Sequence, residues 1–186
     1  TLNDGDEVLL PDPVYDAYRA PIRLAGGVIR PVQATLNQGR FTLTLDALQQ
    51  AWTPRSRLLL LNTPWNPAGT VFRRDELAGI AEFVREHRLL MISDEIYERI
   101  TYGENNHVSP ALFIRDQTIL VNSLSKTYAM TGWRVGYCAA PASLIRTMLL
   151  VLQQASRGPA MFVQDAAAVA LDDDDPSKPA SLVLLL

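Results

Sequence analysis

The sequence predicts an α/β fold, a mostly parallel sheet with helices on both faces. Three observations lead to that expectation. Short apolar runs alternate with helical patterns along the chain, which is how β-α units and a parallel sheet present themselves. The run Arg57–Asn62 (RLLLLN) is apolar at every interior position, as a strand covered on both faces requires. Polar clusters follow three of the predicted strands, where open parallel sheets bind their ligands.

The elements follow in order. Glu7 to Leu10 reads as a short buried strand, and Pro11-Asp12-Pro13 as a turn, because each proline fixes φ and removes a donor. Val14 to Leu24 reads as a helix stopped by Gly26-Gly27, and Val28 to Val32 as a second strand. Leu43 to Ala51 is a helix that Thr44 starts, with Asp46 and Ala47 behind it. After the strand at Arg57–Asn62, Arg74 to His87 places Leu77, Ile80, Ala81 and Val84 at helical spacing. Leu89 to Ser93, Thr118 to Asn122 and Val135 to Ala140 complete the strands. Pro141 suits the first position of a helix reaching Ala155. No internal repeat is present.

Composition excludes several function classes. The 186 residues suffice for one domain with a core, and 48% hydrophobic with 20% charged residues is ordinary for a globular protein. A net charge of −3 without a basic run predicts neither a nucleic-acid nor an anionic-membrane partner. No apolar stretch reaches the ~20 residues that a membrane span needs. Thr1 to Asp4 lacks the charged and apolar regions of a signal peptide, and the missing initiator Met suggests a piece of something longer. One cysteine, Cys138, precludes an internal disulfide framework and suits a reducing, cytoplasmic compartment. In an apolar strand it reads as a buried small hydrophobe. Of the 17 basic residues only Lys126 and Lys178 are lysines, which hints at a use for an amine that arginine cannot supply.

The chemistry lies in the strand-end clusters. Asn62-Thr63-Pro64-Trp65-Asn66-Pro67 follows one strand, Asp94-Glu95-Ile96-Tyr97 the next, and Ser123-Leu124-Ser125-Lys126 a third. The stretch from Ser123 to Tyr137, SLSKTYAMTGWRVGY, sets two hydroxyls beside a lysine, with an arginine eight positions on. Small and hydroxyl residues let the backbone crowd an anion. Arg134 offers a bidentate grip on phosphate oxygens. Lys126 offers an amine that condenses with a carbonyl. An aldehyde bearing a phosphate uses all three, and pyridoxal 5′-phosphate is that molecule. Asp94 would pair with a protonated pyridine nitrogen and keep the ring an electron sink. Tyr97 and Asn66 would reach the ring's phenolic oxygen, and Tyr15 would lie on the ring face.

Each residue also has a plainer reading: a solvated lysine, a capping aspartate, a turn asparagine beside proline, a structural arginine, a packed tyrosine. Their joint occurrence at strand ends favours the site. Trp65 and Trp133 read as packing or loop anchors. His87 ends a helix, where partial positive charge suits the dipole. His107 lies in a polar loop without an assigned role, and the run Asp172 to Asp175 reads as solvated.

On these residues the sequence resembles the fold-type I pyridoxal-phosphate aminotransferases of classes I and II, which include the aspartate and aromatic aminotransferases. NTPWNPAGT, SDEIY and SLSKTYAMTGWRVGY occur in order and at plausible spacing, and GDEVLLPDPVYDAY is similar too, so the likeness runs from Asp4 to Leu171. The resemblance implies an incomplete large domain of such an enzyme over residues 1–171, with a tail at 172–186 unlike the family. It implies transfer of an amino group from an amino acid to a 2-oxo acid through a Lys126 aldimine. Lys126 would also carry the proton between the substrate's α-carbon and the cofactor's aldehyde carbon. The implied catalytic residues are Lys126, Asp94 and Tyr97. The implied cofactor-binding residues are Tyr15, Asn66, Asp94, Tyr97, Ser123, Ser125, Lys126 and Arg134, with no metal. A homodimer of the full-length protein and cis bonds at Asn66-Pro67 and Asp12-Pro13 are implied as well.

Other family features fall outside the sequence: an upstream phosphate-binding turn, a C-terminal small domain with a carboxylate-binding arginine, and residues from a partner subunit. The tail fits a frameshifted or truncated gene product, and the isolated chain is expected to be poorly soluble or to self-associate. Three other readings stay open at this point. One is a different pyridoxal-phosphate reaction such as β-elimination. Another is a non-catalytic sensing domain of a transcription regulator. The last is an inert gene remnant. Neither the amino acid nor the 2-oxo acid is legible.

Overall fold

A computed structural model describes residues 2–172; Thr1 and residues 173–186, with Lys178 and nearly all of the expected tail, lie outside the described residues. The strands are β1 (Glu7–Asp12), β2 (Val28–Gln33), β3 (Thr35–Asn37), β4 (Arg40–Thr42), β5 (Ser56–Asn62), β6 (Leu90–Asp94), β7 (Thr118–Ser123) and β8 (Gly136–Ala139). The helices are α1 (Arg19–Leu24), α2 (Leu45–Ala51), α3 (Arg74–Glu86), α4 (Ala111–Ile114), α5 (Leu124–Thr127), α6 (Ala142–Ala155) and α7 (Met161–Asp172). Six strands form one sheet in the order β2-β1-β5-β6-β7-β8. All neighbours are parallel except β8, which runs antiparallel to β7.

The two-residue period of a strand divides the core between the two faces. Val8, Leu10, Leu58 and Leu60 meet Ile22 of α1 on one face. Leu9, Leu59 and Leu61 meet Leu48 of α2 and Leu77, Ile80 and Val84 of α3 on the other. β5 is therefore clothed on both sides, which is why its sequence has no alternation. Full burial of each such leucine contributes about 1.5–3 kcal/mol. The helix starts are locally encoded: Thr44 accepts from the Ala47 amide at 3.1 Å to cap α2. At α3, Glu76 accepts from the Arg73 amide at 2.8 Å and receives the Arg40 fork at 2.7 and 2.8 Å, tying β4 to the helix.

At the opposite end of the sheet from the polar clusters, Glu7 is fully buried. Its carboxylate accepts from Thr53 Oγ1 at 2.5 Å and Arg55 Nη2 at 2.9 Å, with Arg30 Nε 3.8 Å away. Burial alone would raise its pKa; the Thr53 and Arg55 hydrogen bonds and the two guanidinium charges outweigh burial and hold it below the usual carboxylate value.

Several elements differ from expectation. The expected turn at residues 11–13 is instead the end of β1, which runs to Asp12. The helix expected from Val14 starts later. Tyr15 is extended, a 3-10 turn spans Asp16–Tyr18, and α1 begins at Arg19. The Trp65 indole donates to the Pro13 carbonyl at 2.9 Å, and this tertiary bond holds the segment extended. The β3–β4 hairpin was not expected. Its turn places Gln38 at φ 49° and Gly39 at φ 79°, the left-handed pair that a tight hairpin needs. Cys138 is exposed, contrary to the buried reading, because β8 ends the sheet and all four of its residues are exposed. The bonds Asp12-Pro13, Thr63-Pro64 and Asn66-Pro67 are cis.

Candidate active site

Strand register assembles the site. Asn62 pairs with Asp94 across β5 and β6, and Asp94 pairs with Val121 across β6 and β7. The strands thus end nearly level, and the clusters that follow them converge. Their meeting place is a cavity of about 430 Å³. Every residue expected to bind a cofactor lines it: Tyr15, Asn66, Asp94, Tyr97, Ser123, Ser125, Lys126 and Arg134.

Asp94, the last residue of β6, is held from two directions. Its Oδ1 accepts from the Ile96 amide at 3.2 Å and its Oδ2 accepts from the Tyr18 hydroxyl at 2.5 Å. Burial, then the hydrogen bond to Asp94 and that carboxylate's charge, push the Tyr18 pKa far above the ordinary phenol range. Tyr18 therefore keeps its proton and acts as the donor.

Tyr97 follows on the turn after β6. Its hydroxyl accepts from Asn66 Nδ2 at 3.3 Å. Burial foremost, then the nearby Asp94 charge, raises its pKa, and the Asn66 bond offsets part of this. Lys126 Nζ lies 5.8 Å from the centroid of the Tyr97 ring, within cation–π range. The amine, the phenol and the carboxylate thus share one cavity wall.

The third cluster lines the same cavity. Ser123 caps α5 by accepting from the Ser125 amide at 3.1 Å, and Ser125 is buried. Lys126 is the third residue of that short helix. Arg134 adopts a left-handed backbone at φ 53° and donates to the Thr131 carbonyl at 3.1 Å. Such a conformation costs a non-glycine residue about 1 kcal/mol and recurs at functional sites. Tyr15 stands edge-on to Tyr18, with centroids 5.4 Å apart, and is half exposed.

A family profile described as aminotransferase class I and II matches residues 1–180. The chain belongs to the class I and II aminotransferase family. It is 40% identical over 172 residues to an aspartate aminotransferase of Geobacillus stearothermophilus, covering 91% of this chain and 44% of that protein. It is 41% identical over 176 residues to aromatic-amino-acid aminotransferase 2 of Thermococcus litoralis, covering 93% of this chain and 45% of that one. The crystal structure of an aromatic aminotransferase from Pyrococcus horikoshii superposes with a TM-score of 0.94 at 40% identity, covering 98% of this chain and 49% of that chain. The chain spans about half the length of these relatives.

Two residues of this aminotransferase-family chain escaped the sequence reading. Tyr18 holds Asp94, and its spacing of three from Tyr15 along a helical turn was the available signal. Asn62, buried at the end of β5, links two clusters. Its Oδ1 accepts from the Asn66 amide at 2.6 Å and its Nδ2 donates to the Asp94 carbonyl at 2.9 Å. It begins the NTPWNPAGT motif, but its partners are brought to it by the β5–β6 register.

Proposed function

We propose that the chain forms the cofactor-binding half of a pyridoxal-phosphate aminotransferase that moves an amino group from an amino acid to a 2-oxo acid. The observation that carries this reading is the shared cavity. An amine, a strand-end carboxylate, a protonated phenol and a guanidinium beside two serines all face it. Those groups match the aldehyde, ring nitrogen, phenolic oxygen and phosphate of the cofactor one for one. When bound, the cofactor supplies an aldehyde that takes up the amino group and a ring that delocalises the electron pair left by the departing α-proton.

The chain's own residues divide the remaining work. Asp94 stabilises a protonated ring nitrogen, and Tyr18 fixes the orientation of its carboxylate. Tyr97 and Asn66 present hydrogen-bonding groups to the phenolic oxygen, already bonded to each other. Ser123, Ser125 and Arg134 hold the phosphate, and Tyr15 flanks the ring. The Lys126 amine would hold the aldehyde and would carry the proton between the substrate's α-carbon and the aldehyde carbon. The substrates are small molecules. In this reading the full-length protein is cytoplasmic and a homodimer, and the apolar surface of α6, where Leu150 and Val151 are each 66% exposed, supports the association. Among the described residues no helix is long and apolar enough to cross a membrane.

The test is chemical. The chain is mixed with pyridoxal phosphate, reduced with borohydride, and the modified residue mapped by mass spectrometry. The expected mark is on Lys126, lost in Asp94→Ala and Arg134→Ala. A mark on Lys178 or the amino terminus, or none, overturns the reading. With substrate, a new amino acid means transfer, whereas ammonia and pyruvate mean β-elimination.

A further inference from the structure

The neighbour of Asp94 belongs to a second polar cluster. Glu95 is 1% exposed and does not line the cavity. Its Oε1 accepts from the hydroxyls of Ser93 at 2.9 Å and Ser109 at 2.8 Å. Its Oε2 lies within hydrogen-bond distance of His107 Nε2, at 2.7 Å. The His107 side chain is itself only 10% exposed. A buried carboxylate left without partners is strongly destabilising, and three donors from two separate stretches of chain compensate this one.

The cluster brackets the turn that presents the candidate active-site groups. The Glu95 amide donates to the Val121 carbonyl at 2.8 Å, which pins the turn to β7. The Glu98 amide donates to the Glu95 carbonyl at 2.9 Å and the Ile100 amide to the Tyr97 carbonyl at 2.8 Å. Between these bonds lie the Ile96 amide, which holds Asp94 Oδ1, and Tyr97, which faces the cavity. His107, twelve residues beyond Glu95, closes the far end of the same segment onto β6. Glu95, Glu98 and His107 also bring one ligand atom each within 4.8 Å of one another. Both Glu95 oxygens already have hydroxyl or imidazole partners.

We infer that Glu95 and His107 form a clasp that positions Asp94 and Tyr97 for the cofactor. Neither residue touches the cavity; they act through the turn between them. The inference rests on the cofactor reading above, and its experiment separates the two.

The experiment uses the 186-residue chain and the variants His107→Ala and His107→Gln. Glutamine places an amide N–H where Nε2 stands. Hydrogen exchange is followed at the Glu98 and Ile100 amides and, for comparison, along α3. The absorption band of chain loaded with pyridoxal phosphate is titrated with pH. In His107→Ala the two turn amides exchange about tenfold faster while α3 is unchanged. The band's pH midpoint moves by about half a unit or more, since Asp94 and Tyr97 no longer sit at fixed positions against the ring. His107→Gln restores both readouts. Faster exchange along the whole chain, or a local change with an unmoved midpoint, overturns the inference. Wild-type chain unmarked at Lys126 fails the cofactor reading instead, and turn amides that then exchange normally in His107→Ala overturn the clasp as well.

Discussion

The hydroxyl of Tyr18 donates to Asp94 Oδ2 at 2.5 Å across 76 residues of sequence. The short segment from Tyr15 to Tyr18 thereby carries both an aromatic ring of the cavity lining, Tyr15, and the brace for a carboxylate on another element. Removing the brace with Tyr18→Phe leaves the ring volume intact. A hydrogen bond to a charged group contributes about 1.5–3 kcal/mol, so affinity for pyridoxal phosphate should fall about tenfold or more. Titration of the chain with the cofactor by absorbance measures this, and an unchanged midpoint would show that Asp94 needs no brace.

Asn62 joins the first and second clusters through its two amide ends. Asn62→Ala leaves the Asn66 amide without its acceptor and one lone pair of the Asp94 carbonyl without its donor; the Thr63 amide still donates to that carbonyl at 2.9 Å. The expected loss in stability is about 1–3 kcal/mol, from the one group left buried without a partner. Chemical denaturation reads that loss. Labelling of Lys126 should fall alongside it, because Asn66 and Asp94 both shift.

These two residues mark where sequence reading stops. β5 was legible because covering both faces of a strand writes a continuous apolar run, and Lys126 because a lone lysine among serines at a strand end stands out. Tyr18, Asn62 and His107 were not legible, since their partners lie 76, 32 and 12 residues away and are chosen by register and by the path of loops. The β3–β4 hairpin escaped because strands of three residues are too short to show a period. Cys138 was misplaced because an edge strand and a central strand are written alike, and only the sheet order tells them apart.

Glu7 gives a pH dependence that is independent of the candidate active site. Its folded pKa lies below the ordinary glutamate value. A depressed acid contributes stability that is present above the unfolded pKa and is lost as pH falls through the folded one. Stability of the wild-type chain should therefore decline from just below pH 4.5 downward on this account. Glu7→Gln keeps the side-chain length and removes the charge, so the variant should be less stable at neutral pH and lose less on acidification. Urea midpoints measured across that window decide it, and parallel acid limbs would refute the assignment.

The surface of α6 carries the last expectation. Its described residues include no buried side chain, and Leu149, Leu150, Val151 and Leu152 are 42–66% exposed. α7 adds Met161 at 79% and Phe162 at 69%. Contiguous apolar surface of this kind favours association in water. Leu150→Glu and Val151→Lys should lower self-association of the isolated chain while changing unfolding free energy by no more than about 0.5 kcal/mol, since neither side chain contributes to the core. Light scattering across a concentration series reads the first effect and denaturant titration the second. Scattering that is unchanged in the double variant would place the association elsewhere, and a large loss of stability would mean that α6 is packed in solution.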